Sequence, residues 1–178
     1  LSGSYEYETE VMRFSYSSMT TPAQVFDYNM RTRERILRKT QEVPSGHDPA
    51  LYEARRIYAC AGDGAEVPIT ILMRKGTPLD GDNPTLLSGY GGYGISMTPR
   101  YRQSLRIWLD QGGVYVVAST RGGGEFGEDW HRAGNLTRKQ NVFDDFIAAA
   151  EWLIANHYTS PARLAIQGGS NGGLLVGA

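Results

Sequence analysis

RLAIQGGSNGGLLVGA, residues 163–178, carries the clearest structural signal in the sequence. A short apolar run, RLAIQ, leads into glycines that flank Ser170, and the apolar LLVGA follows at once. This order predicts a strand, a very tight turn and the first turn of a helix. In such a turn the positions two before and two after the serine approach each other, and here both are glycine, Gly168 and Gly172. The stretch therefore predicts a nucleophile elbow that exposes the hydroxyl of Ser170.

Two further glycine clusters precede the elbow, GYGGYG at 89–94 and RGGGEFG at 121–127. Each follows a predicted strand, PTLLS and VYVVAST, and the helical patterns YRQSLRIWLDQG and VFDDFIAAAEWLIANHY lie between the strands. This alternation predicts a parallel sheet with helices on both faces. Ligands of such sheets bind at the carboxyl ends of the strands, so we expect the three clusters at one functional edge.

The region before residue 84 has a different pattern. Residues 1–43 alternate apolar and polar side chains between turns, which predicts an all-β meander. Residues 44–50, PSGHDPA, are turn formers and are interpreted as a linker. A hairpin follows, with its turn at residues 62–64. We therefore predict an α/β domain over residues 51–178, preceded by an all-β segment.

The first two glycine clusters also match the dinucleotide-binding pattern G-x-G-x-x-G. That interpretation requires a helix to open inside the motif, with its N-terminal amides facing the pyrophosphate. Pro99 still separates the first match from its helix, and about fourteen residues separate Gly127 from the next clear helical pattern. We therefore expect no nucleotide, and no other cofactor.

Composition excludes several classes of protein. Eighteen basic and nineteen acidic residues give a net charge of −1, without a run of either sign, so neither nucleic acid nor an anionic membrane is an expected partner. The apolar runs are too short to span a bilayer. No local cluster supplies metal ligands, and the single cysteine, Cys60, excludes an internal disulfide. We expect a cytoplasmic protein, with the periplasm as the alternative because a leader before Leu1 would not be seen.

An exposed serine in an elbow indicates acyl transfer, which needs oxyanion donors, a base and a carboxylate that orients the base. The backbone N–H of Asn171 is one predicted donor, and the hydroxyl of Tyr90 is the second. All three histidines precede Ser170, whereas in the α/β-hydrolase order the acid and the histidine follow the serine. We interpret these histidines as structural, and the two adjacent aspartates as residues that begin a helix: His47, His131, His157, Asp144, Asp145.

Four stretches together resemble the catalytic domain of the prolyl oligopeptidase family of serine peptidases: GYGGYGISMTP, VVASTRGGGEFGEDWHRAGN, KQNVFDDFIAAAEWLI and YTSPARLAIQGGSNGGLL. They occur in the family order through residues 84–178. Residues 1–43 resemble the last blade of the family's seven-bladed β-propeller. The resemblance implies an α/β-hydrolase fold and a cofactor-free peptidase, whose propeller restricts its substrates to short peptides.

The resemblance also implies roles for four residues. Ser170 matches the nucleophile, Tyr90 the tyrosine whose hydroxyl completes the oxyanion hole, and Asn171 the residue that gives the backbone donor. Tyr93 stands where prolyl endopeptidases have a phenylalanine that lines the proline pocket. Other stretches, YSSMTTP and KTQEVP, are more similar to oligopeptidase B, which cleaves after Arg and Lys. We expect cleavage after proline, with cleavage after Arg or Lys as the alternative.

The same resemblance implies that the chain is a fragment. We expect most of the propeller before Leu1, and the triad acid and histidine after Ala178, so residues 1–178 alone are expected to be inactive. Two other classes stay open: another α/β-hydrolase reaction, such as that of an esterase or an acylaminoacyl peptidase, and a non-catalytic interaction protein on the same fold. The sequence does not predict an oligomeric state.

Overall fold

The computed structural model describes residues 6–178, so the first five residues of the predicted meander lie outside the described part. The described residues form two sheets. The smaller is an antiparallel meander of β1 (Val11–Tyr16), β2 (Gln24–Asn29) and β3 (Arg35–Thr40). These strands lie where the alternating pattern predicts them.

The meander contains one buried carboxylate, Asp27 on β2. Arg13 from β1 donates to it over 2.7 Å and Arg38 from β3 over 2.8 Å, so both neighbouring strands are tied to the central one. The hydrogen bond from Arg13, reinforced by Arg38, outweighs desolvation and lowers the pKa of Asp27 to about 2. The carboxylate therefore stays ionised between its two partners at neutral pH.

The larger sheet has the strand order β4-β5-β7-β6-β8. Its strands are β4 (Tyr52–Cys60), β5 (Glu66–Arg74), β6 (Thr85–Gly89), β7 (Val114–Ala118) and β8 (Leu164–Gln167). The prediction of a parallel sheet is right for β7, β6 and β8. The tight turn of the predicted hairpin makes β4 and β5 antiparallel to each other, and the hairpin joins this sheet through β5, which pairs antiparallel with β7. The sheet is therefore mixed.

Four helices follow the strands in the described part: α1 (Gln103–Asp110), α2 (Glu128–Arg132), α3 (Gln140–Ala155) and α4 (Asn171–Gly177). Side chains alternate along β7, so the strand offers apolar groups to both faces of the sheet. On one face Tyr115 and Val117 pack with α1, and on the other Val114 and Val116 pack with α3. Each fully buried aliphatic side chain contributes about 1.5–3 kcal/mol, so the two helices fix the sheet from both sides.

The segment predicted as a linker is held in place by His47. Its imidazole stacks on Tyr52, with ring centroids 5.3 Å apart, and meets Tyr101 edge-on at 4.9 Å. Its Nε2 hydrogen-bonds the carbonyl oxygen of Thr20, over 2.7 Å. His47 therefore connects the loop between β1 and β2 with residues of the α/β region.

A second connection lies beside it. Met19, from the loop between β1 and β2, is buried against the α1 face of the larger sheet, where it packs with Tyr115 and Val117. Arg106 of α1 donates to the carbonyl oxygens of Ser45 and Gly46. The meander and the larger sheet therefore share part of one apolar core.

The structure differs from the sequence-based expectations in two respects. The short helix α2 was not predicted, because five residues without an apolar repeat give no helical signal. The prediction that Asp144 and Asp145 begin a helix is wrong, because α3 already begins at Gln140 and both aspartates lie in its second turn. Asp145 is fully buried instead, and its partner is described below. Among residues 6–178, no helix is both long and apolar enough to cross a bilayer.

Candidate active site

Ser170 lies at the junction of β8 and α4 with an unusual backbone. Its φ is 56° and its ψ is −119°, a combination that non-glycine residues rarely adopt. A Cβ atom at Gly168 would overlap the carbonyl oxygen of Gly172, and one at Gly172 would lie 2.6 Å from the carbonyl oxygen of Gly89. Both positions therefore require glycine, and the strained turn between them leaves Ser170 exposed. This is the geometry that the sequence predicts for an elbow.

Asn171 is the first residue of α4, so its backbone N–H has no acceptor within the helix. It lies next to Ser170 at the positive end of the helix dipole, where a developing anion is stabilised. The predicted donor is thus a free backbone N–H at the start of a helix. Whether it acts as one stays a prediction.

The loop that follows β6 lies against the elbow. The side-chain amide of Asn171 donates to the carbonyl oxygen of Tyr90 over 2.5 Å. Gly92 faces the same side chain so closely that a Cβ there would lie 2.5 Å from Nδ2 of Asn171. The structure therefore brings Tyr90, Asn171 and Ser170 together. The role of the half-buried Tyr90 as a hydroxyl donor stays a prediction.

Lys139, which the sequence analysis did not single out, also contacts this loop. Its Nζ donates to the carbonyl oxygen of Gly91 over 2.6 Å and to Oδ1 of Asn171 over 3.4 Å. Burial lowers its pKa from the ordinary value of lysine. One signal was present in the sequence: a lysine directly before α3 stands at the positive end of the helix, where cations are disfavoured.

A cavity of about 360 Å³ opens beside the elbow. Tyr93, at φ 57° and 77% exposed, forms part of its wall, so the predicted substrate-binding residue and Asn171 face one space. The lining combines apolar and uncharged polar groups with one cation: Gly92, Tyr93, His131, Gly134, Asn135, Leu136, Lys139, Asn171, Leu174. Among these described residues none is acidic.

The second glycine cluster, residues 121–127, packs against the loop after β6. The carbonyl oxygen of Gly122 accepts hydrogen bonds from the backbone N–H of Gly94, over 3.0 Å, and from Nδ1 of His131, over 2.9 Å. The preceding Arg121 is buried and pairs with Asp145, with 2.6 Å between Nη2 and Oδ1, and with Asp63 of the β4–β5 turn. The partner of Asp145 thus comes from the loop after β7, and the pair fixes where this cluster begins.

A second finding concerns the dinucleotide interpretation. A helix does open at the end of the second motif, because α2 begins directly after Gly127. Its first turn carries Glu128 and Asp129, two anions that would repel a pyrophosphate. The first motif has no helix before α1. The geometry therefore gives no support to nucleotide binding.

In the described part of the chain, none of the three histidines hydrogen-bonds Ser170. His47 lies at the junction with the meander, His131 bonds Gly122, and His157 occupies a turn after α3 with a φ of 60°. No group of three or more potential metal-ligating side chains occurs among residues 6–178. The described region therefore brings together the predicted nucleophile and the predicted oxyanion donors, without a contact from a histidine to the serine.

Comparison with known proteins agrees with this geometry. Residues 99–178 match the Prolyl oligopeptidase family. The prolyl endopeptidase of Elizabethkingia meningoseptica is 42% identical over 165 residues, which are 93% of this chain and 23% of that protein.

Two solved structures superimpose closely. A prolyl endopeptidase, 47% identical, gives a TM-score of 0.90 over 95% of this chain and 25% of its own. Oligopeptidase B from Leishmania major, 39% identical, gives 0.89 over 97% of this chain and 24% of its own. The chain thus spans about a quarter of the length of these relatives. The predicted fold class, an α/β-hydrolase preceded by an all-β segment of a β-propeller, is confirmed. By sequence and by fold, the chain belongs to the prolyl oligopeptidase family of serine peptidases.

Proposed function

We propose that this chain provides the nucleophile and the oxyanion site of a serine peptidase that hydrolyses short peptides through an acyl-enzyme intermediate. The strained backbone of Ser170 is the observation that carries the proposal, since such strain persists only where the surroundings enforce it. The adjacent helix terminus and the loop at Tyr90 support it, because the loop is bonded to the residue that follows the serine and a helix N-terminus favours a developing negative charge.

The proposed reaction forms a serine ester and then hydrolyses it. Oγ of Ser170 attacks the carbonyl carbon of the peptide, and its proton passes to a histidine that follows the serine in the α/β-hydrolase order. The carbonyl oxygen becomes negative and accepts hydrogen bonds from the N–H of Asn171 and the hydroxyl of Tyr90. The C–N bond then breaks, the amine leaves with the proton, and water hydrolyses the ester.

We propose proline as the residue before the cleaved bond. The cavity beside Asn171 has Tyr93, Leu136 and Leu174 in its wall, which suits a compact apolar ring. The described residues that line it include the cation Lys139 and no carboxylate, so an arginine or lysine side chain would find repulsion there without an opposite charge. The 42% identity to a prolyl endopeptidase supports the same preference.

Cleavage after Arg or Lys is the second candidate, because the structural match to oligopeptidase B covers 97% of this chain. Paired assays of the complete protein separate the two. The substrates would be blocked dipeptide amides with one leaving group, differing only in proline or arginine before the bond. A higher kcat/KM for arginine would reject the proline proposal, and activity confined to acyl esters would favour an esterase.

Labelling tests the nucleophile itself. A serine-directed fluorophosphonate should modify Ser170 in the complete protein, because the reagent reports an activated hydroxyl. Ser119, buried at the end of β7, and Ser160, in a turn before Pro161, are internal controls that should stay unmodified. Peptide mass spectrometry locates the adduct. An adduct at another serine would contradict the assignment, and no adduct would favour a non-catalytic relative.

A further inference from the structure

Lys139 connects three segments that are far apart in sequence. It stands directly before α3, and its Nζ contacts the loop after β6 through Gly91 and the elbow through Asn171. Asn171 completes the arrangement, because its side chain accepts from Lys139 and donates to Tyr90. One ammonium group and one amide thus join the predicted nucleophile to the predicted oxyanion loop.

The surroundings of this cation are unusual. Nζ has only neutral oxygen acceptors within the described residues, and no ion pair of Lys139 occurs there. The positive end of α3 and the partial burial of the side chain both disfavour its charge. Lysine and arginine side chains are more commonly exposed. The neighbouring Arg138 is exposed, whereas Lys139 is partly buried. These costs indicate that the ammonium group is retained for its two hydrogen bonds.

Asn171 and Lys139 together fix two consecutive peptide groups of the loop after β6. A peptide unit is planar, so a held carbonyl oxygen fixes the whole unit. Asn171 holds the carbonyl of Tyr90, and Lys139 holds that of Gly91. The space around Gly91 is closed as well, because a Cβ there would overlap Val142 and lie 2.5 Å from Oγ1 of Thr120. The backbone from which the Tyr90 side chain projects is therefore fixed by the following two peptide groups.

We propose that Lys139 is a positioning residue for the oxyanion site: by holding Gly91 and Asn171 together, it keeps the hydroxyl of Tyr90 where the oxyanion at Ser170 forms. The inference rests on the proposed function. It predicts that Lys139 acts through Tyr90 and contributes mainly in the transition state, since an oxyanion donor interacts most strongly once negative charge has developed.

The test is a double-mutant cycle in the complete protein. Lys139→Met should lower kcat by about 30-fold and change KM by less than about 3-fold, because it removes a transition-state interaction. In a Tyr90→Phe background the same change should lower kcat by less than about 3-fold, since the hydroxyl it positions is absent. Arg138→Met, an equal change of charge at the adjacent exposed residue, should alter neither parameter.

Other results would overturn the inference. Equal losses in both backgrounds would show that Lys139 acts independently of Tyr90, and an unchanged kcat would show that it does not act at all. If Lys139→Met fails to fold, Lys139→Ala also removes the donor and serves in the same cycle.

A second measurement does not depend on activity. Hydrogen exchange at residues 90–94 should become faster in Lys139→Met, whereas exchange in α1 should not change. Unchanged exchange in that loop would reject the positioning role even if no substrate were found. Absence of both peptide hydrolysis and labelling at Ser170 in the wild type, with faster exchange in the variant, would instead reject the proposed function alone.

Discussion

At the scale of the residue, the elbow shows how geometry restricts composition. Four glycines surround Ser170 and Asn171, yet the structure gives them unequal importance. Gly168 and Gly172 approach neighbouring backbone atoms, whereas no atom lies within 4 Å of the Cβ position of Gly169 or Gly173. Backbone atoms cannot move aside as a flexible side chain can. Gly168 and Gly172 are therefore required by contact, and the other two are not.

Substitution of these glycines provides a direct test. Gly172→Ala should lower kcat/KM of the complete protein by more than about 100-fold, because its methyl group would push against the carbonyl of Gly89 and displace Ser170. Gly169→Ala, two residues before Asn171, should retain activity within about 2-fold, since its Cβ meets open space. Steady-state kinetics measures both. Similar losses in the two variants would show that the turn needs flexibility rather than room.

The hydroxyl of Tyr90 allows a second test at this scale. Tyr90→Phe keeps the ring and its packing, so a purely structural tyrosine would lose little activity. An oxyanion donor contributes about 3 kcal/mol in the transition state, so kcat should fall on the order of 100-fold with little change in KM. A slow substrate should be used so that chemistry limits turnover. Retention of more than about half of kcat would exclude the hydroxyl as the donor.

Tyr93→Phe is the matched comparison, because it removes the same atom from a residue in the cavity wall. The expected effect is on selectivity: the ratio of kcat/KM between proline and arginine substrates should shift, while kcat on the better substrate stays within about 2-fold. A fall in kcat as large as that of Tyr90→Phe would instead place Tyr93 at the oxyanion.

At the scale of the element, the meander is held together by the charges of Arg13, Asp27 and Arg38. The pKa of Asp27 is lowered from 3.8 to about 2, so its contribution to stability is present above about pH 4 and lost as the pH falls towards 2. Asp27→Asn should therefore lower the midpoint of urea unfolding at about pH 6, and the difference from wild type should shrink at about pH 3.

The control for this prediction is Glu10→Gln, which removes the exposed ion pair with Arg31. An exposed pair contributes little at any pH, so this variant should follow the wild type throughout. A constant difference between Asp27→Asn and wild type across the pH range would show that the packing of residue 27, rather than its charge, stabilises the meander.

Elements also show what can be predicted from the sequence. The hairpin β4–β5, the strands before each glycine cluster and the elbow at Ser170 follow from local periodicity and from glycine at fixed positions. The contacts of Lys139 and the ion pair Arg121–Asp145 cannot be predicted in this way. Hydrophobic periodicity assigns a residue to one face of an element, but it does not identify the residue that it contacts. Twenty-four positions separate Arg121 from Asp145. The contact that joins them is a consequence of the sheet order.

At the scale of the whole molecule, we predict that residues 1–178 alone hydrolyse no blocked peptide amide above background. No histidine in the described part hydrogen-bonds Ser170, and a serine without its base retains only weak catalysis. The assay compares this chain with its Ser170→Ala variant. Turnover that disappears in the variant would mean that one of the histidines present serves as the base. His131 would be the first candidate, because it lines the cavity.

The packing of Met19 and His47 has a consequence for anyone who wishes to excise the catalytic region. The composition of residues 44–50, which are turn formers, suggests a domain boundary at this segment. A protein that begins at residue 51 would lose Met19 from its place beside Tyr115 and Val117, and the ring that covers Tyr52. The cut would pass through a shared hydrophobic core rather than through a flexible linker. It would expose apolar side chains on the α1 face of the sheet. A usable boundary for excision therefore has to retain the loop between β1 and β2.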